Sequence, residues 1–524
     1  MDFSAAKFFM LNSNFGVLRS GIENAALYRA MLFKKYLGIL PIIVTATFNP
    51  RLNLQRRKLV DTGLIDSDIK IINLYDALQE MPSDLVMQKN EMQKANANWR
   101  YQSINNSKNY RLFDRNSKLY VEPDEEGRVM FSTLFVNTVK TRRDVYNING
   151  FLSKAQFFSP SDGQLAVEIY YRMDGTTCIY KYFEFKNDKS LLTTIHLTDR
   201  SGNIEYVFES EADLITHWIK SLLDSSNSNF LIVDREAVYY NSLLKIKQEN
   251  VYKICMIHNK HFNKALGKYN SDTYKTICED FSKSDQDPSK PDAIVVLTNR
   301  QKDDMNQQFG MQDHLFSIPN CTGKIIHRVD YNNRAPYQAI CLARYTPEKQ
   351  HSSLIRVFDQ VVKEYPMARL DLYGFGDESI EMIKRIKALH LEENIFVNGF
   401  ADNVERIYQS AVLAVLTSKL EGFPLFLLES ISNGCICISY NIDYGPSDMI
   451  EDGINGYLID YNNEDDMARK ICSLFADHKK MQDMSEASYK KAGEFQADVV
   501  AEKWRNLLNV IIERRASKQS TMQI

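Results

Sequence analysis

The sequence predicts an α/β protein with two doubly wound domains and an antiparallel β-rich segment inserted into the first of them. Two observations carry this prediction. Short apolar runs alternate with helical patterns at both ends of the chain, whereas residues 95–215 show two-residue alternation with turn signals. The length of 524 residues suits about two to four domains.

The apolar runs are rich in Val, Ile and Leu, which is typical of parallel strands that are buried on both faces. The runs lie at 41–48, 230–236, 253–259, 293–299, 339–345, 369–376, 411–418 and 435–440. The helical patterns between them lie at 21–36, 351–365 and 377–389. We therefore expect a first domain formed by residues 1–94 and 216–334, and a second formed by residues 335–500.

The inserted segment, residues 95–215, is predicted to be an antiparallel meander. Leu165, Val167 and Ile169 alternate with mostly polar neighbours, and Asp174-Gly175 follows as a hairpin signal. The last segment, residues 501–524, is predicted to be a helix with a tail. Its apolar residues at helical spacing are Val500, Trp504, Leu507, Leu508 and Ile511.

Composition excludes several classes of protein. The net charge of −3 gives no argument for nucleic-acid binding. The eight cysteines are scattered without a CxxC pair, which indicates a reducing compartment and no zinc-ribbon spacing. The N-terminus lacks a signal-peptide pattern, and the most apolar run, 37–48, is shorter than the roughly 20 residues of a membrane span. We expect a cytoplasmic protein without a nucleic-acid partner.

The most informative motif is SKLEGFPLFLLESISNG (418–434), which follows the apolar run 411–418. Pro424 suits the first turn of a helix, so Glu421 falls in the preceding loop and Glu429 within the helix. Open α/β sheets bind ligands at this end of their strands, where helix amides favour an anion and carboxylates suit sugar hydroxyls. The alternative is a pair of solvated surface glutamates.

Two further strand ends carry candidate ligand groups. Arg344 and Lys349 follow the run 339–345, and two cations facing a cleft suit a diphosphate. Asn398, Gly399 and Phe400 form a loop whose backbone could reach a nucleotide base. The alternatives are a pair of surface cations and a plain turn.

The N-terminal part of the chain offers weaker candidates. Ser20 and Gly21 precede a helix and suit a phosphate or sugar loop, although the spacing is not a dinucleotide fingerprint. An ordinary helix cap at Ser20 is the alternative. His258 lies at a strand end, where a polar contact in the cleft and a structural role are both open. We assign no metal site to the chain.

The paired glutamates of EGFPLFLLE (421–429), preceded by Arg344 and Lys349, resemble the retaining nucleotide-sugar glycosyltransferases of family 4, which have the two-Rossmann GT-B fold. The resemblance is close over 335–500 and looser in the N-terminal domain. Pro424 departs from it, because relatives often carry a small residue there. Ser20-Gly21 departs as well, because many relatives have two adjacent glycines.

Two subgroups of that family are similar to this chain. Similarity to the poly(glycerol-phosphate) and poly(ribitol-phosphate) α-glycosyltransferases of wall teichoic acid rests on ARYTPEKQ, ARLDLYGFGDE and ISYNIDYGPSDMIEDGINGYLI. Similarity to the glycosyltransferase that starts glycan addition to serine-rich adhesins rests on RSGIENAALYRAMLFKK and the inserted meander.

The resemblance implies a role for each candidate residue. Arg344 and Lys349 would hold the donor pyrophosphate, Glu429 the ribose, and Glu421 the donor sugar near its reacting carbon. His258 would contact the sugar or the acceptor and, with Glu421, Arg344 and Lys349, completes the implied catalytic set. The implied donor-binding residues are Ser20, Gly21, Arg344, Lys349, Asn398, Gly399, Phe400, Glu421, Gly422, Phe423, Pro424, Leu425 and Glu429.

The implied activity is retaining, metal-independent transfer of glucose or N-acetylglucosamine from a UDP-sugar, which is a substrate and not a cofactor. The implied acceptor is a teichoic-acid polymer. The alternative functions are transfer to Ser/Thr of an adhesin and a non-catalytic role as a partner subunit. A polyanionic acceptor suits the clusters 51–58 and 140–143, for which a solvated basic face is the alternative. We further expect a homo-oligomer formed through the inserted domain, peripheral contact with the inner face of the membrane, and a C-terminal helix that crosses back onto the first domain.

Overall fold

The computed structural model of the protein describes residues 3, 5–16, 19–82, 99–104, 108–263, 267–282, 289–310, 313–322, 328–401 and 403–522. The predicted boundary between residues 94 and 95 lies outside these ranges. The chain forms two compact units. The first comprises Met1–Ser4, Asn24–Ile39 and Ile254–Ile524, and the second comprises Ala5–Glu23 and Leu40–Lys253.

The N-terminal elements alternate between strand and helix, as the apolar runs predict. They are β1 (Lys7–Asn12), α1 (Gly21–Leu32), β2 (Ile42–Thr45), α2 (Leu52–Asp61), β3 (Lys70–Asn73) and α3 (Leu74–Leu78). The three strands pair in parallel in the order β1-β2-β3. A five-residue π-helix, Phe33–Leu37, extends α1 and ends at Gly38, whose φ of 69° suits glycine.

The middle of the chain is a ten-stranded antiparallel sheet whose strand order follows the chain. Its strands are β4 (Arg100–Ser103), β5 (Tyr110–Phe113), β6 (Ser117–Pro123), β7 (Val129–Val136), β8 (Val139–Tyr146), β9 (Leu152–Phe158), β10 (Leu165–Tyr171), β11 (Thr177–Lys186), β12 (Lys189–Thr198) and β13 (Ile204–Phe208). The predicted Asp174-Gly175 turn joins β10 to β11. Sequence analysis did not single out β8, because charged residues in its sequence VKTRRDVY obscure the apolar alternation.

In β10 the buried face is the one that carries polar groups. Glu168 and Tyr170 are 7% and 2% exposed, whereas Val167 and Ile169 are only half-buried. The Glu168 carboxylate accepts hydrogen bonds from Gln156 and from the Tyr170 hydroxyl, both at 2.7 Å. Because each oxygen of the Glu168 carboxylate has a donor, burial of this polar face costs less free energy than burial of an unpaired carboxylate would.

Two buried side chains, Gln79 and Lys181, tie the sheet to the α/β elements of the same unit. The side-chain amide of Gln79 donates to the carbonyl oxygens of Ser153 and Tyr171, both at 2.7 Å. The Lys181 ammonium is buried and bonds to the Tyr75 hydroxyl at 2.7 Å and to Glu211. Burial raises the pKa of Tyr75 to about 12, so its hydroxyl stays protonated.

The chain then returns to alternating helices and strands. They are α4 (Glu211–Leu222), β14 (Asn229–Val233), α5 (Glu236–Leu244), β15 (Val251–Ile257), β16 (Phe262–Asn263), β17 (Lys268–Tyr269), α6 (Asp272–Ser282), β18 (Ala293–Val296), α7 (Asn299–Phe309) and β19 (Leu315–Ser317). In the second unit β14 pairs with β1 in parallel. In the first unit β15, β18 and β19 pair in parallel in that order.

The C-terminal part contains a six-stranded parallel sheet in the order β22-β21-β20-β23-β24-β25. Its elements are β20 (Ala335–Leu342), α8 (His351–Glu364), β21 (Arg369–Tyr373), α9 (Ser379–Ala388), β22 (Ile395–Val397), α10 (Val404–Ser410), β23 (Ala411–Leu416), α11 (Leu425–Ser432), β24 (Ile436–Tyr440), α12 (Pro446–Met449), β25 (Gly456–Ile459), α13 (Glu464–Phe475), α14 (His478–Ala492) and α15 (Ala497–Met522). Every residue of β23 and β24 is buried, as expected for strands covered on both faces.

The final helix, α15, packs against the extension of α1. The Trp504 ring lies edge-on to Phe33 with centroids 5.3 Å apart, and Arg505 donates to the Tyr36 carbonyl at 3.0 Å. Arg515 forms a two-point ion pair with Asp292 at 2.6 Å. The five residues predicted to form its apolar stripe are at most 2% exposed: Val500, Trp504, Leu507, Leu508 and Ile511. Within the described ranges, no helix is long and apolar enough to cross a bilayer.

All eight cysteines are buried as thiols, outside any disulfide. Burial raises the pKa of Cys178, Cys278, Cys321 and Cys341 to about 12. We therefore expect no thiol of the native protein to react with Ellman's reagent near pH 8, because the thiolate is the nucleophile. All eight should react after denaturation in guanidinium chloride. A thiol that reacts at once without denaturant would contradict this burial.

Candidate active site

Lys349 and Glu421 meet at the carboxyl edge of the C-terminal sheet. Lys349 ends a 3-10 turn, Pro347–Lys349, after β20, and Glu421 lies in the loop after β23. Because β20 and β23 are neighbouring parallel strands, their following loops share one edge of the sheet. The Lys349 Nζ lies 2.6 Å from Glu421 Oε1, with side chains only 16% and 13% exposed. A shielded cation thus lies beside a shielded carboxylate.

Arg344 is in a different state. Its side chain is 55% exposed and its guanidinium lies 3.2 Å from Glu348, four residues along the chain. An exposed pair of this kind contributes little to stability, about 0–1 kcal/mol. Arg344 can therefore turn to an incoming anion at small cost, whereas Lys349 is already fixed.

The loop between Glu421 and α11 is held by close backbone contacts. A Cβ atom at Gly422 would lie 2.1 Å from the His258 carbonyl oxygen, so only glycine fits there. Phe423 is buried against Phe495, with ring centroids 5.8 Å apart. Pro424 is the N-cap of α11, with φ of −71°, and Leu425 is the first helical residue. The predicted helix start is therefore correct to within one residue.

Glu429 lies inside α11 and has a fixed orientation. The Tyr408 hydroxyl donates to Glu429 Oε2 at 2.7 Å. Burial, with the Glu429 charge as the next cause, raises the pKa of Tyr408 far above its ordinary value, so the phenol remains a donor. One carboxylate oxygen is thus held in place by a group that sequence analysis did not single out.

The loop of Asn398, Gly399 and Phe400 is anchored to the neighbouring strand β21. Asn398 donates to Asp371 at 3.0 Å, and Asp371 is fully buried in β21. Burial raises the pKa of Asp371, but hydrogen bonds from Arg369, Gln338 and Asn398 outweigh that effect and hold the pKa below its ordinary value. The Asn398 side-chain amide is therefore occupied. The Asn398 backbone amide also donates, to the Leu372 carbonyl at 2.8 Å, so side chain and backbone together hold this loop in place.

Phe400 lies beside a second aromatic ring. It is 50% exposed, and its centroid lies 6.1 Å from that of Phe375 in the loop after β21. Gly374 keeps the two loops close. Its amide donates to the Gly399 carbonyl at 2.7 Å, and a Cβ atom there would lie 1.9 Å from the Ala343 carbonyl oxygen.

His258 is 8% exposed and belongs to a loop tied to the residues after β24. Two residues on, Lys260 pairs with Asp443 across 183 positions of sequence. The Tyr444 hydroxyl donates to Asp304 at 2.8 Å. No local pattern could have indicated these contacts, because each joins segments far apart in sequence.

Ser20 and Gly21 lie where α1 begins, in the second unit. The Ser20 amide donates to Glu23 Oε2 at 2.8 Å, its hydroxyl bonds to the same carboxylate, and Arg235 binds both side chains. This is half of a capping box reinforced by a cation, which supports the helix-cap interpretation at Ser20. A role of Ser20 and Gly21 in binding the nucleotide-sugar donor remains a prediction.

Within the ranges that the structure describes, no three side chains of His, Cys, Asp or Glu lie close enough together to hold a metal ion.

His351, the first residue of α8, makes this region sensitive to acid. It is 3% exposed, and neither ring nitrogen has a hydrogen-bond partner among the described residues. Burial, aided by the Lys349 charge, lowers its pKa from 6.5 to about 4. Below pH 6.5 His351 is protonated in the unfolded chain, but in the folded chain it stays neutral down to about pH 4. The free energy of unfolding therefore decreases as the pH falls from 6.5 to 4.

We expect this loss to approach 3 kcal/mol by about pH 4, since one pKa unit corresponds to about 1.4 kcal/mol. Urea unfolding at pH 7, 5.5 and 4.5 should show the difference between wild type and His351→Gln shifting in favour of the variant as pH falls. His478→Gln, at an exposed position, is the control. A constant difference between wild type and His351→Gln would contradict the prediction.

Comparison with known proteins finds similarity to glycosyltransferases. Residues 324–491 match the family model of the glycosyl transferases group 1. The poly(glycerol-phosphate) alpha-glucosyltransferase of Bacillus subtilis (strain 168) is 26% identical over 97% of this chain and 75% of that protein. The poly(ribitol-phosphate) alpha-N-acetylglucosaminyltransferase of Staphylococcus aureus (strain COL) is 24% identical over 96% of this chain and 99% of that protein. The GtfA subunit of the Streptococcus pneumoniae UDP-N-acetylglucosamine–peptide N-acetylglucosaminyltransferase is also 24% identical, over 96% of this chain and 99% of the subunit.

Two solved structures share the fold. A mutant of S. aureus TarM in complex with fondaparinux, alpha-GlcNAc-glycerol and UDP has a TM-score of 0.77 at 22% identity, over 96% of this chain and 99% of that one. The pneumococcal O-GlcNAc transferase GtfA in complex with UDP and GlcNAc has the same TM-score and identity, over 97% and 99%. The resemblance to these glycosyltransferases is confirmed, and the chain has their α/β fold.

Proposed function

We propose that this protein is a retaining glycosyltransferase that moves glucose or N-acetylglucosamine from a UDP-sugar to a poly(glycerol-phosphate) or poly(ribitol-phosphate) chain. The observation that carries the proposal is the shielded Lys349–Glu421 pair beside the start of α11. The group 1 match over 324–491 and the similarity to two polyol-phosphate transferases support it.

The charges of the site suit departure of a nucleotide. Lys349 and Arg344 would neutralise the diphosphate as the bond from the sugar C1 to the phosphate oxygen breaks. The acceptor hydroxyl oxygen would bond to C1 on the same face, and its proton would pass to the leaving diphosphate oxygen. Glu421 would hold the sugar hydroxyls, and Glu429, oriented by Tyr408, would hold the ribose. No step in this scheme requires a metal.

We assign the remaining parts by the same resemblance. Residues 335–500 would bind the donor, with Asn398–Phe400 at the base, and the α/β elements of 1–94 and 216–334, including Ser20, Gly21 and His258, would face the acceptor side. The antiparallel sheet would be an insertion into that domain. The enzyme would act in the cytoplasm at the inner face of the membrane.

Self-association is proposed through the apolar face of the antiparallel sheet. Phe157, Val167 and Tyr182 lie opposite one another on β9, β10 and β11, and Ile169 lies opposite Tyr180 on the same face. All five are only half-buried. A row of half-exposed aromatic and branched side chains on adjacent strands is typical of an interface.

The second candidate is transfer of N-acetylglucosamine to Ser or Thr of a protein, which the match to GtfA favours. A non-catalytic partner subunit is the third candidate. The presence of Arg344, Lys349, Glu421 and Glu429 argues against it, since a chain that does not bind a donor has no need for this charge pattern.

The test is release of UDP from UDP-glucose and UDP-N-acetylglucosamine with three acceptors, all in EDTA: poly(glycerol phosphate), poly(ribitol phosphate) and a Ser-rich peptide. We expect release that depends on a polymer, and the active donor would identify the sugar. Release that depends on the peptide would establish the second candidate. No release in any combination would favour the third.

A further inference from the structure

Strand register places a row of alternating cations and aromatic rings across five strands of the antiparallel sheet. The directly opposed residues are Arg100, Phe113, Lys118, Phe135 and Lys140, one each on β4, β5, β6, β7 and β8. Opposed residues share a face of the sheet, and neighbouring strands lie about 4.8 Å apart. Successive cations along this row are therefore about 10 Å apart, each separated by a ring.

A second row runs beside the first on the same face. Arg111, Tyr120, Thr133 and Arg143 are opposed on β5, β6, β7 and β8. A register shift between Leu134 and Phe135 brings Lys140 and Arg143, three positions apart, onto one face. We call the five cations the basic ladder; its members are Arg100, Arg111, Lys118, Lys140 and Arg143.

On β5 and β6 the ladder faces outward, whereas on β10 the same face of the sheet carries the buried Glu168 and Tyr170. The opposite face of β5 and β6 carries Leu112, Leu119 and Val121, which form a buried apolar cluster. Arg100 and Lys118 are exposed, and the other members are half-buried. Three members lie over rings: Lys140 over Phe158, Arg143 over Phe131 and Arg111 over Phe113, at 3.7, 4.9 and 5.5 Å from the centroid.

Among the residues that the structure describes, no carboxylate neutralises the charge of the ladder. In the part of the chain that the structure describes, no carboxylate lies within ion-pair distance of any member. By contrast, Arg142 on the opposite face of β8 forms an ion pair with Asp144 at 2.7 Å. On these five strands the ladder face carries a single carboxylate, Glu122. Burial, with the Arg143 charge as the second cause, lowers the pKa of Lys140. Neighbouring cations kept without a counter-charge indicate an anionic ligand.

We propose that the basic ladder binds the phosphodiester backbone of the acceptor polymer, holding repeats other than the one being glycosylated. This inference rests on the proposed function and deepens it. Cations repeated across several strands match charges repeated along a chain, and the intervening rings offer apolar surface to the polyol carbons. A Ser-rich peptide has no such repeated charge. The ladder also lies on the face of the sheet opposite Phe157 and Tyr182, so self-association through that face leaves it accessible.

The test compares two variants with equal loss of charge. The ladder variant is Arg100→Gln/Lys118→Gln/Lys140→Gln. The control is Lys186→Gln/Lys189→Gln/Lys247→Gln, at three exposed positions outside the ladder. Binding of fluorescent poly(glycerol phosphate) is measured without donor, and UDP release is measured with the polymer and with glycerol phosphate, which carries one phosphate.

We expect the ladder variant to raise the Kd and KM for the polymer about 10-fold at low salt, because each exposed ion pair contributes modestly. The slope of log Kd against log salt should fall by about 2, at about 0.7 per phosphate contact. The KM for the UDP-sugar, the rate with glycerol phosphate and the melting temperature should not change. Lys118→Arg/Lys140→Arg should keep wild-type affinity, and the control should behave as wild type.

Equal polymer affinity in the ladder variant and the control would overturn the proposal, as would a wild type that does not bind the polymer. Loss of binding to phosphatidylglycerol vesicles with unchanged polymer binding would also overturn it and would assign the ladder to the membrane. A wild type that binds the polymer through the ladder but transfers no sugar would contradict the proposed function alone.

Discussion

Replacing Lys349 by methionine is expected to lower kcat/KM for sugar transfer by about 10³-fold, or about 4 kcal/mol, the scale of one preorganised group that stabilises transition-state charge. The ammonium is 2.6 Å from Glu421 and only 16% exposed, so water cannot replace it. Methionine keeps the length of the side chain and removes its charge. The measurement is UDP release under saturating acceptor.

Loss of structure must be separated from loss of chemistry. Removing one member of a shielded ion pair leaves the other uncompensated and destabilises the fold, whereas removing both costs less. Lys349→Met/Glu421→Gln should therefore regain part of the melting temperature lost by Lys349→Met, but no activity. Arg344→Gln, at a 55% exposed side chain, should lose about 10-fold. If Lys349→Met keeps more than a tenth of wild-type kcat/KM, the pair does not hold the diphosphate.

This pair was predictable because of where its members fall along the chain. Arg344, Lys349 and Glu421 each follow a run of apolar residues, and parallel strands bring such positions to one edge of a sheet. The helix start near Pro424 followed from the same pattern. Local sequence rules therefore placed these residues at one edge of the sheet without tertiary information, whereas their roles in catalysis and donor binding stay predictions.

The features that escaped sequence analysis depend on partners distant in sequence. Tyr408 fixes Glu429 from another helix, and Lys260 meets Asp443 only through the fold. The strand β8 was missed for a different reason. Its charged residues mask the alternation that marks a strand, and its register shift changes which of them share a face. The structure therefore divides the clusters predicted to bind a polyanion. Arg142 lies on the face opposite Lys140 and Arg143. In the other cluster, Arg56 pairs with Asp76 at 2.8 Å.

Gly422→Ala is expected to lower kcat/KM by about 10²-fold although it replaces none of the charged side chains of the site. Displacement of catalytic groups by about 1 Å has effects of that size. The added Cβ would lie 2.1 Å from the His258 carbonyl oxygen and 2.7 Å from Asn259 Cα. Both contacts are with backbone, so no side-chain rotation can relieve them. Either the loop that carries Glu421 or the loop that carries His258 must move.

Gly493→Ala is the matched control. A Cβ atom there meets nothing within 4 Å, and the φ of −57° is helical, so alanine should leave activity unchanged and stabilise the fold by up to about 1 kcal/mol. Both variants should be compared by kcat/KM and by melting temperature. If Gly422→Ala retains activity within threefold of wild type, the contact between Gly422 and His258 does not set the geometry of transfer. If only the melting temperature falls, the contact is structural and His258 loses its place in the site.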